Sequence, residues 1–162
     1  MKTWLLSLPL NLINDVATTH GVDPLVIAAI VSVESSGETC ATRYEPHYRW
    51  TIDPEPFAKS NRVTIQTEMT QQKTSWGLMQ VMGAVAREYD FKGHLVELCS
   101  PKVGLEYGVK HFKNYLDKYS SEDDAISAYN QGSNKLTSTG KYRNQHYVDK
   151  VKSRVQYLKE TI

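Results

Sequence analysis

The chain has 162 residues, about the size of one domain. Its 19 Lys and Arg against 18 Asp and Glu leave a formal charge of +1, which excludes the strongly basic surface of a non-specific nucleic-acid binder. Hydrophobic residues make up 40% and charged residues 23%, as in a folded chain rather than a disordered one, and no apolar run reaches the ~18 residues that span a bilayer.

Residues 1–10 imitate a short leader, with Lys2 ahead of Trp4-Leu5-Leu6. The apolar stretch stops at Asn11, however, and no small-x-small cleavage site follows. Leu10, Ile13, Val16 and Ala17 recur at helical spacing and Gly21 is placed to end a helix, so residues 8–20 are predicted to form the first one. Asp23-Pro24 reads as an N-cap followed by proline at the first helical position. The next residues, Leu25 to Val33, are apolar on nearly every face, which predicts a central buried helix over 24–34 that Gly37 can stop.

Residues 38–75 lack clean periodicity and read as a lobe or long loop. Prolines at 46, 54 and 56 break helix, and Val63 to Glu68 alternate like a short strand. Helical spacing returns over Trp76–Tyr89. Ser100-Pro101 opens a long amphipathic helix through Leu105, Phe112 and Leu116, and the acidic turn Ser121 to Asp124 opens a short one. Val148, Val151, Val155 and Leu158 mark a last helix. The expected fold is mainly α, one domain over 1–162, with at most a small β-hairpin region.

Cys40 and Cys99 allow one disulfide, and neither sits in a Cys-x-x-Cys pair. The five His show no ligand spacing, so no metal site is predicted, and the two thiols read as buried and free.

Glu34 is the only charge between Asp23 and Glu38. A carboxylate in the last turn of a helix faces the negative end of the macrodipole, and burial beside an apolar helix acts in the same direction, raising its pKa. An acid still protonated near neutral pH can protonate the leaving oxygen of a glycosidic bond. Taken alone, the feature is also compatible with a glutamate that simply reaches solvent at a helix end.

Further segments follow Glu34-Ser35-Ser36-Gly37 in order: Gly77-Leu78-Met79-Gln80, Ala128-Tyr129-Asn130-Gln131-Gly132, and Tyr147-Val148 opening the last helix. This ordered set resembles the soluble lytic transglycosylase family, relatives of goose-type lysozyme. Arg43-Tyr44-Glu45-Pro46, Ser75-Trp76 and the run Asn144 to Asp149 are similar to a compact variant found in bacteriophage and prophage enzymes. The stretch from Glu34 to Gly77 is longer than in the shortest members. The resemblance implies a lysozyme-like α lobe with Glu34 at the floor of a sugar cleft. It also implies a substrate-binding set of Ser75, Met79, Gln80, Tyr129, Asn130 and Tyr147. Gln80 and Asn130 would offer amide groups, Met79 a flexible apolar contact, and Tyr129 a hydroxyl that orients Glu34. Plain core packing for Met79 and Tyr129, and helix capping for Gln80 and Asn130, are the competing structural roles. Tyr44, Tyr48, Trp50, Trp76 and Tyr142 could stack on sugars, and Arg49 and Lys59 could face acidic stem peptides.

In the resembled family a single Glu acts first as acid and then as base. The bond between N-acetylmuramic acid and N-acetylglucosamine is cleaved without water, leaving a 1,6-anhydro end. Hydrolysis, the goose-type outcome, needs a second carboxylate. Glu38, Glu45, Asp53, Glu68 and Glu106 are candidates, with Glu45 better read as ion-paired. A non-catalytic peptidoglycan-binding module is the third reading. The expectation is a lytic transglycosylase without cofactor or metal, acting as a monomer on glycan strands, with no nucleic-acid partner and no stable membrane insertion. Its site of action would be the cell wall, reached by phage release, in a virion, or by another export route.

Overall fold

The computed structural model describes residues 2–162. Two N-terminal helices, α1 (Thr3–Leu6) and α2 (Leu10–Thr19), lead into α3 (Pro24–Glu34). The Asp23 carboxylate caps α3 by accepting from the Leu25 N–H at 2.8 Å, and Pro24 occupies the first turn, where a missing N–H leaves no gap. Val26 to Ser32 are all buried, as a helix apolar all round requires. α3 packs against α2 and against the C-terminal helix α9 (Gln145–Thr161). The long helix α7 (Pro101–Lys118) lies against α2 and against α8 (Glu122–Gln131), and α8 closes on α9. Ile13, Ile27, Ile30, Phe112, Ile126 and Val151 meet in one core cluster.

Beside this bundle sits a three-stranded antiparallel sheet, ordered β1 (Thr42–Tyr44), β2 (Thr74–Trp76), β3 (Val81–Met82). Two helices, α4 (Glu55–Asn61) and α5 (Ile65–Gln72), fill the excursion between β1 and β2, and α6 (Gly83–Glu88) follows β3. The fold is therefore mainly α with a small sheet. Among the described residues no helix is long and apolar enough to cross a membrane.

Four expectations need correction. The predicted helix 8–20 is α2, starting after Pro9, and a separate turn of helix precedes it that buries Trp4 and Leu5 in the core. Val63 to Glu68 is not a strand. Thr64 accepts from the Thr67 N–H at 3.0 Å and starts α5, whose inward face carries Glu68 and Gln72 instead of apolar residues. Trp76–Tyr89 is not one helix but the β2–β3 hairpin followed by α6, because Gly77 and Gln80 take positive φ and close a tight turn. Finally, Cys40 and Cys99 are not buried free thiols: they form a disulfide, and Cys40 is exposed.

Glu68 and Arg87 form a fully buried bidentate pair at 2.8 and 2.9 Å. Gln72 donates to Glu68, and Arg87 also donates to the carbonyls of Phe91 and Gly93 while lying over the Phe57 ring. With four of the five Arg87 N–H donors engaged in this way, the pair is tolerable in the interior and ties α5 to α6.

The disulfide closes a loop of 59 residues that includes the whole sheet and anchors it to a short 3-10 turn, Leu95–Cys99. Restricting a loop of that size in the unfolded chain is worth about 4 kcal/mol. The double variant Cys40→Ala, Cys99→Ala is expected to lose stability of that order in chemical denaturation. A loss under about 1 kcal/mol would show that the bridge does not restrain the lobe.

Candidate active site

Glu34 is the last residue of α3. Past it the chain turns sharply, with Ser36 at φ 55° and Gly37 at φ 86°. The Ser35 hydroxyl donates to the Leu78 carbonyl at 2.8 Å and so pins the helix end to the β2–β3 turn. From α8, the Tyr129 hydroxyl donates to the next carbonyl of that turn, Met79, at 2.7 Å. The turn itself is closed by the Gln80 N–H donating to the Gly77 carbonyl at 3.1 Å. Two separated motifs thus converge on the four backbone residues of a third.

The resulting cleft has a volume of about 210 Å³. Glu34, Ser75, Gln80, Tyr129 and Asn130 line it, which brings together most of the residues singled out from sequence. Tyr147 joins them at the start of α9, its hydroxyl donating to Glu34 Oε1 at 2.7 Å. The orienting hydroxyl expected of Tyr129 therefore belongs to Tyr147. The Met79 side chain is not in the cleft: it is fully buried against Gly108 of α7, where an added Cβ would stand 2.5 Å from its sulfur. Its plain core role holds, and only its carbonyl serves the site.

Gln80 does not cap a helix. Its amide donates to the carbonyls of Ala41 at 2.8 Å and Gly77 at 3.0 Å, and its oxygen accepts from the Ser75 hydroxyl at 2.9 Å. Both donors are engaged, so Gln80 and Ser75 brace the hairpin and leave only an acceptor face to the cleft. Asn130 is the opposite case. Its oxygen accepts from Asn144 at 2.9 Å, which aims the amide group, and its N–H donors have no partner among the described residues.

The Glu34 carboxyl is pushed above its ordinary value of 4.5, chiefly by burial. The Tyr147 hydrogen bond and the Lys150 charge oppose the shift without cancelling it. Tyr129 and Tyr147 are both held well above the usual phenol value of 10, first by burial and next by the Glu34 charge, so both remain hydrogen-bond donors.

Sequence reasoning missed His111. This α7 residue lines the cleft, lies 3.1 Å from the Tyr89 hydroxyl through Nδ1, and packs edge-on against Tyr115. Burial pushes it down to about 4, so it is neutral at physiological pH. No spacing pattern marked it, because its role comes from helix α7 facing the hairpin. Arg43 and Glu45 also line the cleft, paired at 2.8 Å. Of the five candidate second carboxylates only Glu45 is there. Glu68 is buried against Arg87, and Glu106 pairs with His20 and Lys110 on α7. Among the described residues no acidic, His or Cys group could hold a metal ion.

Residues 11–151 match the family model described as Transglycosylase SLT domain. The chain belongs to this family, whose members cleave peptidoglycan glycan strands. The matched span contains every cleft residue named above. No curated protein and no solved structure matches the chain.

A carboxyl raised by burial binds its proton more tightly in the folded state. Its contribution to stability is complete below 4.5 and is lost as pH rises through the raised folded value. Glu34→Gln is therefore expected to be at least as stable as the unmodified chain at pH 7, with the difference vanishing below 4.5 in thermal unfolding. A variant clearly less stable at pH 7 would mean that the carboxylate is well solvated or favourably paired. A second comparison separates the tyrosines. Tyr147→Phe removes the donor to Glu34 and should shift the pH profile of activity upward, whereas Tyr129→Phe should slow turnover without that shift.

Proposed function

We propose that the chain is a lytic transglycosylase that cleaves the β-1,4 bond between N-acetylmuramic acid and N-acetylglucosamine and leaves a 1,6-anhydro end. The observation that carries this reading is the Glu34 carboxyl, partly buried at the cleft floor and receiving a 2.7 Å hydrogen bond from Tyr147. Glu34 gives its proton to the bridging oxygen as the bond to C1 of the muramic acid breaks. The substrate's own N-acetyl oxygen supports the positive charge that develops at C1. Glu34, now a carboxylate, takes the proton of the C6 hydroxyl as that oxygen closes on C1, and is regenerated. Water is not consumed, because an intramolecular nucleophile can match about 10⁵ M or more of a free one.

Asn130 is suited to donate to a substrate carbonyl or hydroxyl, and His111 adds a neutral polar edge. Tyr147 positions the acid, while Ser75, Gln80, Tyr129 and the Met79 carbonyl hold the hairpin wall in place. Of the five aromatics considered for sugar stacking, Tyr48 and Trp50 line the adjoining cavity, whereas Trp76 is buried and Tyr142 is bonded to Asp124. In this reading residues 1–162 act as one domain and as a monomer at the cell wall, with residues 38–75 forming a substrate lobe. No cofactor is needed. A phage or virion origin fits the sequence motifs. Hydrolysis remains the second reading because Glu45 shares the cleft with Glu34.

Mass spectrometry of fragments released from purified sacculi decides between them, since anhydro and reducing ends differ by one water. Anhydro ends are expected. Glu34→Gln should lower the rate by about 10²-fold or more, and Glu45→Gln should stay within about tenfold. Reducing ends together with an inactive Glu45→Gln would make the protein a hydrolase, and binding without release would make it a binding module.

A further inference from the structure

A second cavity, of about 570 Å³, opens beside the Glu34 cleft and shares Met82, Val85, His111, Tyr129 and Asn130 with it. Its outer wall has a different chemistry. Tyr48 and Trp50 come from the segment after β1, Tyr115 from α7, and Glu88 from the end of α6. Among the described residues Glu88 has neither an ionic nor a side-chain hydrogen-bond partner. Glu88 is largely exposed, and the burial it does have holds its carboxyl above the ordinary range; burial first, and the Glu88 charge second, push the Tyr48 hydroxyl up to about 12.

None of the other polar groups facing this space forms an ion pair with Glu88. Arg49 lies over the Trp50 ring at 5.2 Å, His47 is on the same segment, and His111 is neutral. Neutral sugars need aromatic platforms and hydrogen bonds, not an unpaired carboxylate. Where Glu88 stands beside the Tyr48 and Tyr115 rings, away from the Arg49–Trp50 stack, aromatic faces and a carboxylate together favour a cation. The cavity is open, and Trp50 is 65% exposed, so an incoming group need not displace structure.

We propose that this cavity is a subsite for a primary ammonium group carried by the substrate, received by the Glu88 carboxylate and flanked by the Tyr48 and Tyr115 rings. The proposal rests on reading the neighbouring cleft as the glycan-cleaving site. Two parts of a peptidoglycan strand carry such a group: a diamino residue of the stem peptide, and a glucosamine that has lost its acetyl group.

The test is calorimetric binding to the full chain bearing Glu34→Gln, so that no substrate is turned over. Two pairs of probes are compared: a soluble muropeptide with a free stem amine against its chemically N-acetylated form, and a stem-free tetrasaccharide with one free amine against its fully acetylated form. The amine-bearing member of one pair should bind about tenfold more tightly, as expected for a charge-assisted hydrogen bond. Which pair responds identifies the carrier. Adding Glu88→Gln should bring that ratio to about one, and Glu88→Asp should keep part of it. Equal binding within both pairs, or a ratio that survives Glu88→Gln, would overturn the proposal. Because binding is read without cleavage, failure of the unmodified chain to cut glycan would defeat the cleavage reading separately.

Discussion

Keeping a carboxyl partly out of water at a helix end demands that its surroundings be held rigidly, since a wider opening would admit more solvent and return Glu34 to ordinary behaviour. The fold meets that demand at the β2–β3 turn. Ser35 binds the Leu78 carbonyl, Tyr129 binds the Met79 carbonyl, and Gln80 binds the Gly77 carbonyl while accepting from Ser75. The helix bearing Glu34, the hairpin wall and helix α8 are thereby locked to one short segment. Tyr147 then adds the one direct hydrogen bond to the acid among the described residues.

This network gives the sequence motifs a physical meaning. Glu-Ser and Ala-Tyr-Asn are joined to Gly-Leu-Met-Gln by side-chain hydrogen bonds to its backbone carbonyls. Met79 packs in the core under Gly108, and Gln80 has both amide donors engaged by backbone. The groups left open to a ligand are fewer: the Glu34 carboxyl, the Asn130 amide, the acceptor face of Gln80, and the edge of His111. Beyond them the aromatic cavity containing Glu88 extends the same surface.

The helices that fill the core were legible from sequence, because apolar residues at every face of α3 and on one stripe of α7 leave a clear pattern. The lobe was not. α5 turns Glu68 and Gln72 inward, satisfied by Arg87 and the Ile52 N–H, so polarity and burial run opposite to the usual pattern. In the hairpin, Leu78, Val81, Met82 and Val85 fall at helical intervals by coincidence of a turn, a strand and the start of α6. The Cys40–Cys99 bridge and the place of His111 depend on chain segments far apart in sequence, which no local spacing encodes. Glu34 stood out because its isolation among apolar residues is itself a local signal. The partner that holds it, Tyr147, lies 113 residues away, beyond the reach of any local pattern.

Everything in the site turns on Glu34 keeping its proton to higher pH than an ordinary carboxyl. Titration of its side-chain carboxyl carbon by NMR in carbon-13-labelled protein, assigned by loss of the signal in Glu34→Gln, measures this directly. A midpoint above 4.5 that rises further in Tyr147→Phe is expected. A midpoint at or below 4.5, unmoved by Tyr147→Phe, would contradict it.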